Sequence, residues 1–580
     1  MRGRNGRALL WIGPLWLLSS TLFAQDRWVY RYNGPGDLWD CAYSIAVGSD
    51  GNLYAAGYST GIGTSSDFTI VSLVNSGVER WIYRYDGSAN LYDRAHSIAV
   101  GSDGNLYAAG YSYESGNVHD FTVVSLNDSG MERWVYRYDG PANHYDGAYS
   151  IVVGADGNLY AAGYSRGSGT LDDFTVVSLS DSGMERWIYR YNGPGSGSDE
   201  AGSIIMGSDG NLYVAGFSEA LGTGRDFTVV SLTDSGMERW VYRYDGPGSG
   251  DDIAWTIVTG PDGNLYVAGG SYGSGTSGDF TVVSVSDSGE ERWVYRYNGP
   301  ASAADDAYSI VWGSDGNLYA AGYSTGTGTS GDFTIVSLVN SGVERWVYRY
   351  DGPANHYDGA YSIVVGADGN LYAAGESEGS GTGYDFTVVS VSDSGAERWV
   401  YRYDGPAGNS DCAYSIAAGS DGNLYAAGRS TGSGAEDDFT VVSLSPDVGV
   451  EESLNRSSVA GFHLSQNGPN PFHHWTVISY SLPATAEVTL TVYDITGRLV
   501  ETLANDTQQP GIHQVRWNKA DNPSGVYFYR LRACPERSPE LAEGRSGESV
   551  EPRSRRAGEF VETRKMVGVK SNFFWKNILL

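Results

Sequence analysis

The chain has 580 residues, a formal net charge of −31 and no lysine before Lys519. This acidity makes nucleic acid or an anionic membrane an unfavourable partner for most of the chain. The 80 glycines, with only 18% charged residues, are typical of short strands joined by tight turns rather than of helices. We therefore expect an all-β protein that binds no nucleic acid.

Residues 1–24 are typical of a secretory signal peptide. Early arginines precede an apolar run from Ala8 to Phe23, and Ala24 stands before the polar Gln25. The run is short for a membrane span, and no later stretch is long and apolar enough to be one. We expect export with cleavage after Ala24 and no transmembrane span.

A repeat of 53 residues fills residues 25–450. Its clearest marker is a tryptophan that recurs at constant spacing: Trp28, Trp81, Trp134, Trp187, Trp240, Trp293, Trp346 and Trp399. An Asp-Gly-Asn turn keeps the same step from Asp50 to Asp421. A fixed period of this length indicates a solenoid, an array or a propeller.

Each repeat contains four runs of strand length. In the first copy they cover 40–48, 53–59, 67–73 and 79–85, separated by turns rich in Gly, Asp, Asn and Ser. Small residues predominate in the first two runs and Trp and Tyr in the last, the taper that a wedge-shaped blade needs. The repeat therefore predicts a four-stranded antiparallel blade.

The two ends of the repeat region distinguish a ring from an open array. Residues 27–32 are a fourth strand with no third strand before it, and 438–444 are a third strand with no fourth after it. Pairing these fragments completes one blade and removes an exposed sheet edge. We predict an eight-bladed β-propeller that its N-terminal strand closes.

The units have the form Asp-x-Ala-Tyr-Ser-Ile-x-x-Gly-x-Asp-Gly-Asn-Leu-Tyr-x-Ala-Gly-x-Ser, followed by a Gly/Thr-rich loop and Asp-Phe-Thr-x-Val-Ser. This pattern resembles the SBBP-type β-propeller repeats of secreted bacterial proteins. The resemblance covers every repeat and implies a propeller, but that family has no single activity.

Two kinds of link between strands predict two different faces of the disc. The turns from first to second strand and from third to fourth are nearly uniform, whereas the other links vary in sequence. We expect any ligand on the variable face, because binding residues concentrate on loops held by a rigid scaffold. The alternative is that these loop residues have no role. The candidate binding residues are Trp39, Tyr92, Tyr113, His119, His144, Tyr145, Tyr272, His356, Tyr357 and Tyr384.

Three aspartates recur in each repeat, for example Asp40, Asp50 and Asp67. Calcium binds such oxygen-rich loops. Asp before a strand or in an Asp-Gly turn, however, usually accepts hydrogen bonds from nearby backbone N–H groups. We expect this structural role, with no metal site and no cofactor; calcium is the alternative.

Cys41 and Cys412 occupy the same repeat position in the first and last blades, which are neighbours once the ring closes. Equivalent sites in adjacent inner strands lie roughly 6 to 9 Å apart, against a limit near 7 Å for a disulfide. A bridge that locks the closure is one outcome, and two free thiols are the other.

The pattern changes after a polar linker at 451–461. Alternating strands then indicate a small β-sandwich over 462–570, which contains Gln-Asn-Gly-Pro-Asn-Pro-Phe, Tyr-Asp-Ile-Thr-Gly-Arg and Ser-Gly-Val-Tyr-Phe-Tyr-Arg-Leu. These motifs resemble the type A sorting domain of the type IX secretion system and the related FlgD-like Ig fold. The resemblance implies recognition by that machinery and a location in the medium or on the outer-membrane surface.

Two features depart from the pattern of that sorting domain. An insert at 534–557, rich in Arg, Glu, Ser and Pro, separates the strands of the closing hairpin, and we expect it to be disordered. A tail, 571–580, extends past the expected end. Both lie where the resemblance places the sorting signal.

The leading functional interpretation is a monomeric, non-enzymatic exported module for binding, adhesion or structure, with an extracellular glycan or protein as its ligand. A quinoprotein-like oxidoreductase is an alternative, but its vicinal cysteine pair is missing. An enzyme acting on extracellular glycans is another. Sialidase-like catalysis would need converging arginines with a Tyr/Glu pair, whereas the arginines recur symmetrically, as at Arg31 and Arg84. The sequence shows no unique Asp/Glu/Arg group, so we predict no catalytic residue.

Overall fold

The computed structural model describes residues 26–114, 118–222, 224–248, 250–379, 381, 383–432, 436–446, 463–464, 475–482, 485–508, 511–518, 523–535 and 560–568. The chain divides into two compact units, Met1–Val448 and Gly449–Leu580. The described residues form strands and turns without a helix. No helix of the length and hydrophobicity needed to cross a membrane is found among them.

The first unit contains eight four-stranded antiparallel sheets, which confirms the predicted eight-bladed propeller. The strands are, for blade 1, β2 (Cys41–Val47), β3 (Leu53–Thr60), β4 (Ser66–Leu73) and β5 (Glu79–Tyr85); blade 2, β6 (Arg94–Val100), β7 (Leu106–Tyr113), β8 (His119–Leu126) and β9 (Glu132–Tyr138); blade 3, β10 (Asp146–Val153), β11 (Leu159–Arg166), β12 (Asp172–Leu179) and β13 (Glu185–Tyr191); blade 4, β14 (Glu200–Met206), β15 (Leu212–Ala220), β16 (Gly224–Leu232) and β17 (Glu238–Tyr244); blade 5, β18 (Ile253–Thr259), β19 (Leu265–Tyr272), β20 (Gly278–Val285) and β21 (Glu291–Tyr297); blade 6, β22 (Asp305–Trp312), β23 (Asn317–Thr325), β24 (Gly331–Val339) and β25 (Glu344–Tyr350); blade 7, β26 (Asp358–Val365), β27 (Leu371–Glu378), β28 (Tyr384–Val391) and β29 (Glu397–Tyr403); blade 8, β30 (Cys412–Ala418), β31 (Leu424–Thr431), β32 (Asp437–Leu444) and the N-terminal β1 (Asp26–Tyr32).

The N-terminal strand closes the ring as predicted. β1 pairs antiparallel with β32, with Trp28 opposite Ser443 and Tyr30 opposite Val441. Blade 8 therefore takes its outer strand from the start of the chain and its other three strands from the end of the repeat region. This pairing leaves β32 with a partner on each side, so the closure exposes no edge there.

The first strand of each blade lies on the inner circle of the propeller, where it contacts the first strands of both neighbouring blades. The second and third strands carry most of the buried apolar side chains. Between blades 1 and 2, for example, Tyr54, Phe68 and Ile70 pack with Ile98 and Leu106. Each pair of adjacent blades shares such a cluster, so the core is a ring of interfaces between blades.

The repeated tryptophan joins each blade to the next. The Trp81 indole N–H of blade 1 donates to the Asp128 carbonyl in a turn of blade 2 at 2.9 Å. Its ring covers Gly130 of that turn, where a Cβ would lie only 2.5 Å from the indole. Trp28 of the closing strand makes the same contact with blade 1, at Asn75 and Gly77. The constant spacing therefore reflects a contact between blades.

The aspartate before each first strand also links loops and blades. The Asp40 carboxylate accepts hydrogen bonds from the Gly34 amide at 2.5 Å and the Thr60 amide at 2.7 Å. Its own amide donates to the Asp437 carbonyl of blade 8 at 2.8 Å. The structural role expected for this aspartate explains its position in every repeat.

The C-terminal unit consists of two sheets, in the orders β33-β34-β37 and β36-β35-β38-β39. Their strands are β33 (His463–Leu464), β34 (Trp475–Leu482), β35 (Ala486–Asp494), β36 (Leu499–Gln508), β37 (Gly511–Asn518), β38 (Gly525–Pro535) and β39 (Phe560–Gly568). Side chains of both sheets, including Ile478, Val492 and Leu531, form one buried cluster. Two sheets around a shared core agree with the predicted β-sandwich.

The closing hairpin pairs as predicted, with Leu531 opposite Glu562 across β38 and β39. One boundary differs: β38 continues to Pro535, two residues into the predicted insert, because β35 extends far enough to pair with Cys534 and Pro535. Residues 536–557 of the insert, the predicted signal peptide, the predicted linker at 451–461 and the tail lie outside the described residues.

The contact between tryptophan and glycine can be tested with two glycines of equal backbone conformation. Gly130 and Gly104 both have φ of +80°, but a Cβ meets Trp81 at Gly130 and nothing within 4 Å at Gly104. Gly104→Ala should cost about 1–2 kcal/mol of unfolding free energy, the usual strain of a left-handed alanine. Gly130→Ala should cost distinctly more, because it also displaces the indole. Denaturant unfolding of both variants measures the difference, and equal losses would contradict this role for the indole.

Candidate functional site

A circle of aromatic side chains lines the inner strands of the propeller. In each blade the first strand has a bulge that leaves one residue unpaired, at Tyr43 in blade 1. A glycine in the second strand permits the bulge, because a Cβ at Gly57 would lie 1.9 Å from the Cys41 carbonyl oxygen. We call the seven aromatic side chains at this position the aromatic circle: Tyr43, His96, Tyr149, Trp255, Tyr308, Tyr361 and Tyr414.

The members of the aromatic circle contact one another from blade to blade. Ring centroids lie 5.5 Å apart between Tyr43 and Tyr414 and 5.4 Å apart between Tyr43 and His96. The remaining contacts, from His96 to Tyr149 and from Trp255 through Tyr308 and Tyr361 to Tyr414, span 5.5–6.0 Å. Separations of this size are those of packed aromatic pairs. The circle is continuous through seven blades.

The circle is broken at one place, in blade 4, where the equivalent residue is Gly202. Tyr149 and Trp255 flank the break. A cavity of about 430 Å³ lies there, lined by these two residues together with Glu200, Phe217 and Arg225. Its size falls within the range of about 300–1,000 Å³ that is usual for small-molecule sites.

The glutamate and the arginine of this cavity are not repeated at the equivalent positions of the other blades. At the position of Glu200 the other seven blades carry Cys, Arg, Gly, Ile, Asp, Gly and Cys, and only blade 4 has arginine at the position of Arg225. The expectation that no unique Asp/Glu/Arg group breaks the eightfold pattern is therefore wrong. The two residues are 25 positions apart, and the sequence gives no sign that they share a cavity.

The electrostatics of the two groups differ. Burial, together with the nearby Asp172 carboxylate, raises the pKa of Glu200, whereas the Arg225 guanidinium and the Tyr149 hydroxyl act in the opposite direction. The guanidinium carbon of Arg225 lies 4.4 Å from the centroid of the Phe217 ring, a cation–π stack. Aromatic surface, one acceptor and one cationic donor thus line the same cavity.

The structure brings five of the predicted binding residues into one group on the variable face of blades 2 and 3. Tyr113 lies 6.3 Å from Tyr92 and 5.1 Å from His119, between ring centroids. His119 in turn lies 4.8 Å from Tyr145, which contacts His144 at 4.6 Å. The His119 ring is buried and hydrogen-bonds through Nδ1 with the Asp146 carbonyl oxygen, so part of this group serves the fold.

The other predicted binding residues lie elsewhere. Tyr357 and Tyr384 are 6.5 Å apart, and His356 lies 3.8 Å from the Glu378 carboxylate beside them. Trp39 and Tyr272 are 62% and 42% exposed. The predicted set is thus two groups and two separate residues rather than one cluster. It also omits the aromatic circle, although an aromatic residue at the same place in seven of eight repeats could have indicated it.

Cys41 and Cys412 are both buried and free in the structure, so the bridge considered above is not formed. Burial raises the pKa of both thiols. At neutral pH they are therefore protonated and weakly nucleophilic.

Among the described residues, aspartates approach one another in four places. Asp120, Asp139 and Asp146 form one such trio, and the equivalent residues of blades 4, 6 and 7 form the others. Neighbours already occupy these carboxylates: Asp146 accepts the Gly140 amide at 2.8 Å, and Asp120 pairs with Arg137 at 3.2 Å. These contacts agree with the structural role expected for the aspartates.

The buried aspartates predict how stability depends on pH. Burial raises the pKa of Asp40, Asp93 and Asp411 to about 7, and of Asp199 and Asp358 to about 6. These groups bind protons more tightly in the folded state, so their contribution is full below the unfolded value near 4 and is lost as pH rises through 6 to 7. The thermal midpoint of the propeller should therefore be lower at pH 8 than at pH 5.5.

Calorimetry at constant ionic strength measures this midpoint. His96 and His119 act in the opposite sense, because burial lowers the pKa of both, to about 4 for His96, but these two groups oppose five aspartates. A midpoint that stays constant or rises between pH 5.5 and pH 8 would contradict the assignment of the aspartates.

Comparison with known proteins identifies part of the C-terminal unit. Residues 469–537 match the family described as the secretion system C-terminal sorting domain. The chain therefore carries a type IX sorting domain, which indicates export to the cell surface or the medium. No curated protein matches the chain in sequence.

Solved structures similar to the chain differ widely in function. A eukaryotic initiation factor is 9% identical over 82% of this chain and 90% of its own, with a TM-score of 0.34. Drosophila Plexin A in complex with Semaphorin 1b is 9% identical over 74% and 88%, with a TM-score of 0.36. An ulvan lyase of polysaccharide lyase family PL25 is 10% identical over 66% and 95%, with a TM-score of 0.34.

Proposed function

We propose that the propeller is an exported, non-enzymatic module that binds an extracellular glycan at the aromatic circle. The observation that carries this proposal is the circle itself, seven half-buried or exposed aromatic side chains in contact around the inner strands. The C–H faces of a sugar ring pack on aromatic rings, while Tyr hydroxyls and nearby carboxylates hydrogen-bond to the sugar hydroxyls. The sorting domain supports a location where such ligands occur.

The charge of the protein fits a neutral or weakly charged glycan. A net charge of −31 disfavours a long polyanion through long-range repulsion. Stacking on apolar faces is independent of net charge, so the aromatic circle can hold a sugar ring despite the acidic surface.

The circle should contribute more to glycan binding than the exposed loop aromatics. Tyr308→Ala removes one stacking face and should weaken binding by about 3- to 10-fold, the usual worth of an aromatic contact. Trp39→Ala is the matched control, because Trp39 is 62% exposed on a loop and contacts no member of the circle among the described residues. A glycan array with the full chain, with and without calcium, followed by calorimetry on the best ligand, measures both effects. A greater loss with Trp39→Ala would place binding on the loops instead.

Glycan hydrolysis is a second candidate, favoured by Tyr149, Glu200 and Arg225 lining the same cavity. A Tyr/Glu pair of this kind can provide a nucleophile and a base. Release of product from fluorogenic glycosides by the wild-type chain, abolished in Glu200→Gln, would support hydrolysis. Absence of turnover by the wild-type chain, with glycan binding unchanged in Glu200→Gln, would support the binding module.

A further inference from the structure

We propose that the break in the aromatic circle at Gly202 is a subsite for one carboxylated sugar residue, such as a hexuronic acid. This inference rests on the proposed glycan-binding function and identifies the class of sugar. In this subsite the sugar ring lies between Tyr149 and Trp255, its carboxylate pairs with Arg225, and its hydroxyls donate to Glu200.

The break is open space rather than a requirement of the fold. A Cβ at Gly202 would find its nearest atoms, the Ala254 and Trp255 carbonyl oxygens, at 3.5 Å, an ordinary van der Waals distance. Gly202 does not have a positive φ, so residues with a side chain can also adopt its backbone conformation. The backbone would therefore accept the tyrosine found at this position in most other blades, and its absence opens the cavity.

The Arg225 guanidinium interacts electrostatically with the Glu200 carboxyl of the same cavity but forms no salt bridge among the described residues. Arg243, on the outer strand of the same blade, pairs with Asp226 at 2.6 Å, as its equivalents do in the other blades. Among the described residues no carboxylate lies within 4 Å of the Arg225 guanidinium, which stacks on Phe217. Its backbone is held in place, because the Asp252 amide of blade 5 donates to the Arg225 carbonyl at 2.7 Å. A stacked guanidinium keeps its planar donors free for a carboxylate.

Glu200 restricts what else can enter. Its carboxylate and that of Asp172 repel a ligand that is anionic over its whole surface, while Arg225 repels a simple cation. The ligand that fits has one anionic group toward Arg225, neutral donors toward Glu200 and a ring with apolar faces for Tyr149 and Trp255. A hexuronic acid has these three features.

Trp255 supplies the exposed face of the subsite. Its side chain is 38% exposed, and its indole N–H donates to the half-buried Asp306 carboxyl at 3.1 Å. A fixed, partly exposed indole is a pre-ordered stacking surface, so little conformational entropy is lost on binding. The aromatic circle continues on both sides of the break, where neighbouring sugar residues of the same chain can pack.

The test uses matched disaccharides that differ only at one carbon, with a carboxylate or a CH₂OH group. The acidic members carry a terminal glucuronyl, galacturonyl or mannuronyl residue, and calorimetry measures their binding to the full chain at physiological salt. We expect at least one acidic disaccharide to bind about 10- to 100-fold more tightly than its neutral partner, the worth of a charged hydrogen bond.

Two variants report on the subsite. Arg225→Gln should remove the preference for the acidic disaccharide and leave binding of the neutral one unchanged. Gly202→Tyr should fill the break and abolish binding of the acidic disaccharide, with an unchanged thermal midpoint. Arg94→Gln is the control, because its guanidinium also stacks, 4.5 Å from the centroid of the Tyr58 ring, but at blades 1 and 2 rather than beside Gly202. It should keep the preference.

The outcomes separate this inference from the proposed function. Equal binding of acidic and neutral disaccharides, or a preference that survives both variants, would overturn the subsite while glycan binding stands. Binding of free amino acids at Arg225 with no binding of any uronide would overturn the sugar assignment. Failure of every glycan, acidic and neutral, on the array and in calorimetry would overturn the proposed function itself.

Discussion

The structure depends on one recurring contact, an outer-strand tryptophan lying over the turn glycine of the next blade. Seven of the eight tryptophans make it, including Trp28 of the closing N-terminal strand, whereas the Trp399 indole N–H donates to the Pro446 carbonyl oxygen at 3.4 Å. Because each indole also donates to a carbonyl of the same turn, the contact fixes the distance and the direction from one blade to the next. Seven such contacts and the hydrogen bond from Trp399 link the eight blades into a ring, which explains why the tryptophan recurs without a slip.

A scaffold fixed in this way leaves function to the residues in which the blades differ. The inner strands carry the same bulge in all eight blades, yet the residue on the bulge is aromatic in seven and glycine in one. Glu200 and Arg225, the residues unique to that blade, line the cavity that the glycine opens. The departure from symmetry and the unusual charges therefore coincide at a single place, which is what a specific binding site on a symmetrical scaffold requires.

The fold could be predicted from the sequence because it is encoded locally and repeatedly. The Asp-Gly-Asn turn specifies a blade, and the outer-strand tryptophan specifies the direction from one blade to the next. The incomplete strands at both ends specify the closure. The site could not be predicted from the sequence, for two physical reasons. The first is that the bulge at Tyr43 redirects a side chain that the sequence pattern places on an ordinary inner strand. The second is that Glu200 and Arg225 come together through strand pairing, which their separation in the sequence does not indicate. The predicted binding residues are instead aromatic and histidine side chains of the variable face, and one of them, His119, is buried.

The central claim is that the molecule binds where its repeat is broken. A crystal structure of the protein with a bound acidic disaccharide tests this claim most directly. The account predicts the sugar ring between Tyr149 and Trp255, with its carboxylate within hydrogen-bonding distance of the Arg225 guanidinium. A ligand bound at the loop aromatics, for example against Trp39 or His144, with the space beside Gly202 unfilled by sugar, would contradict it.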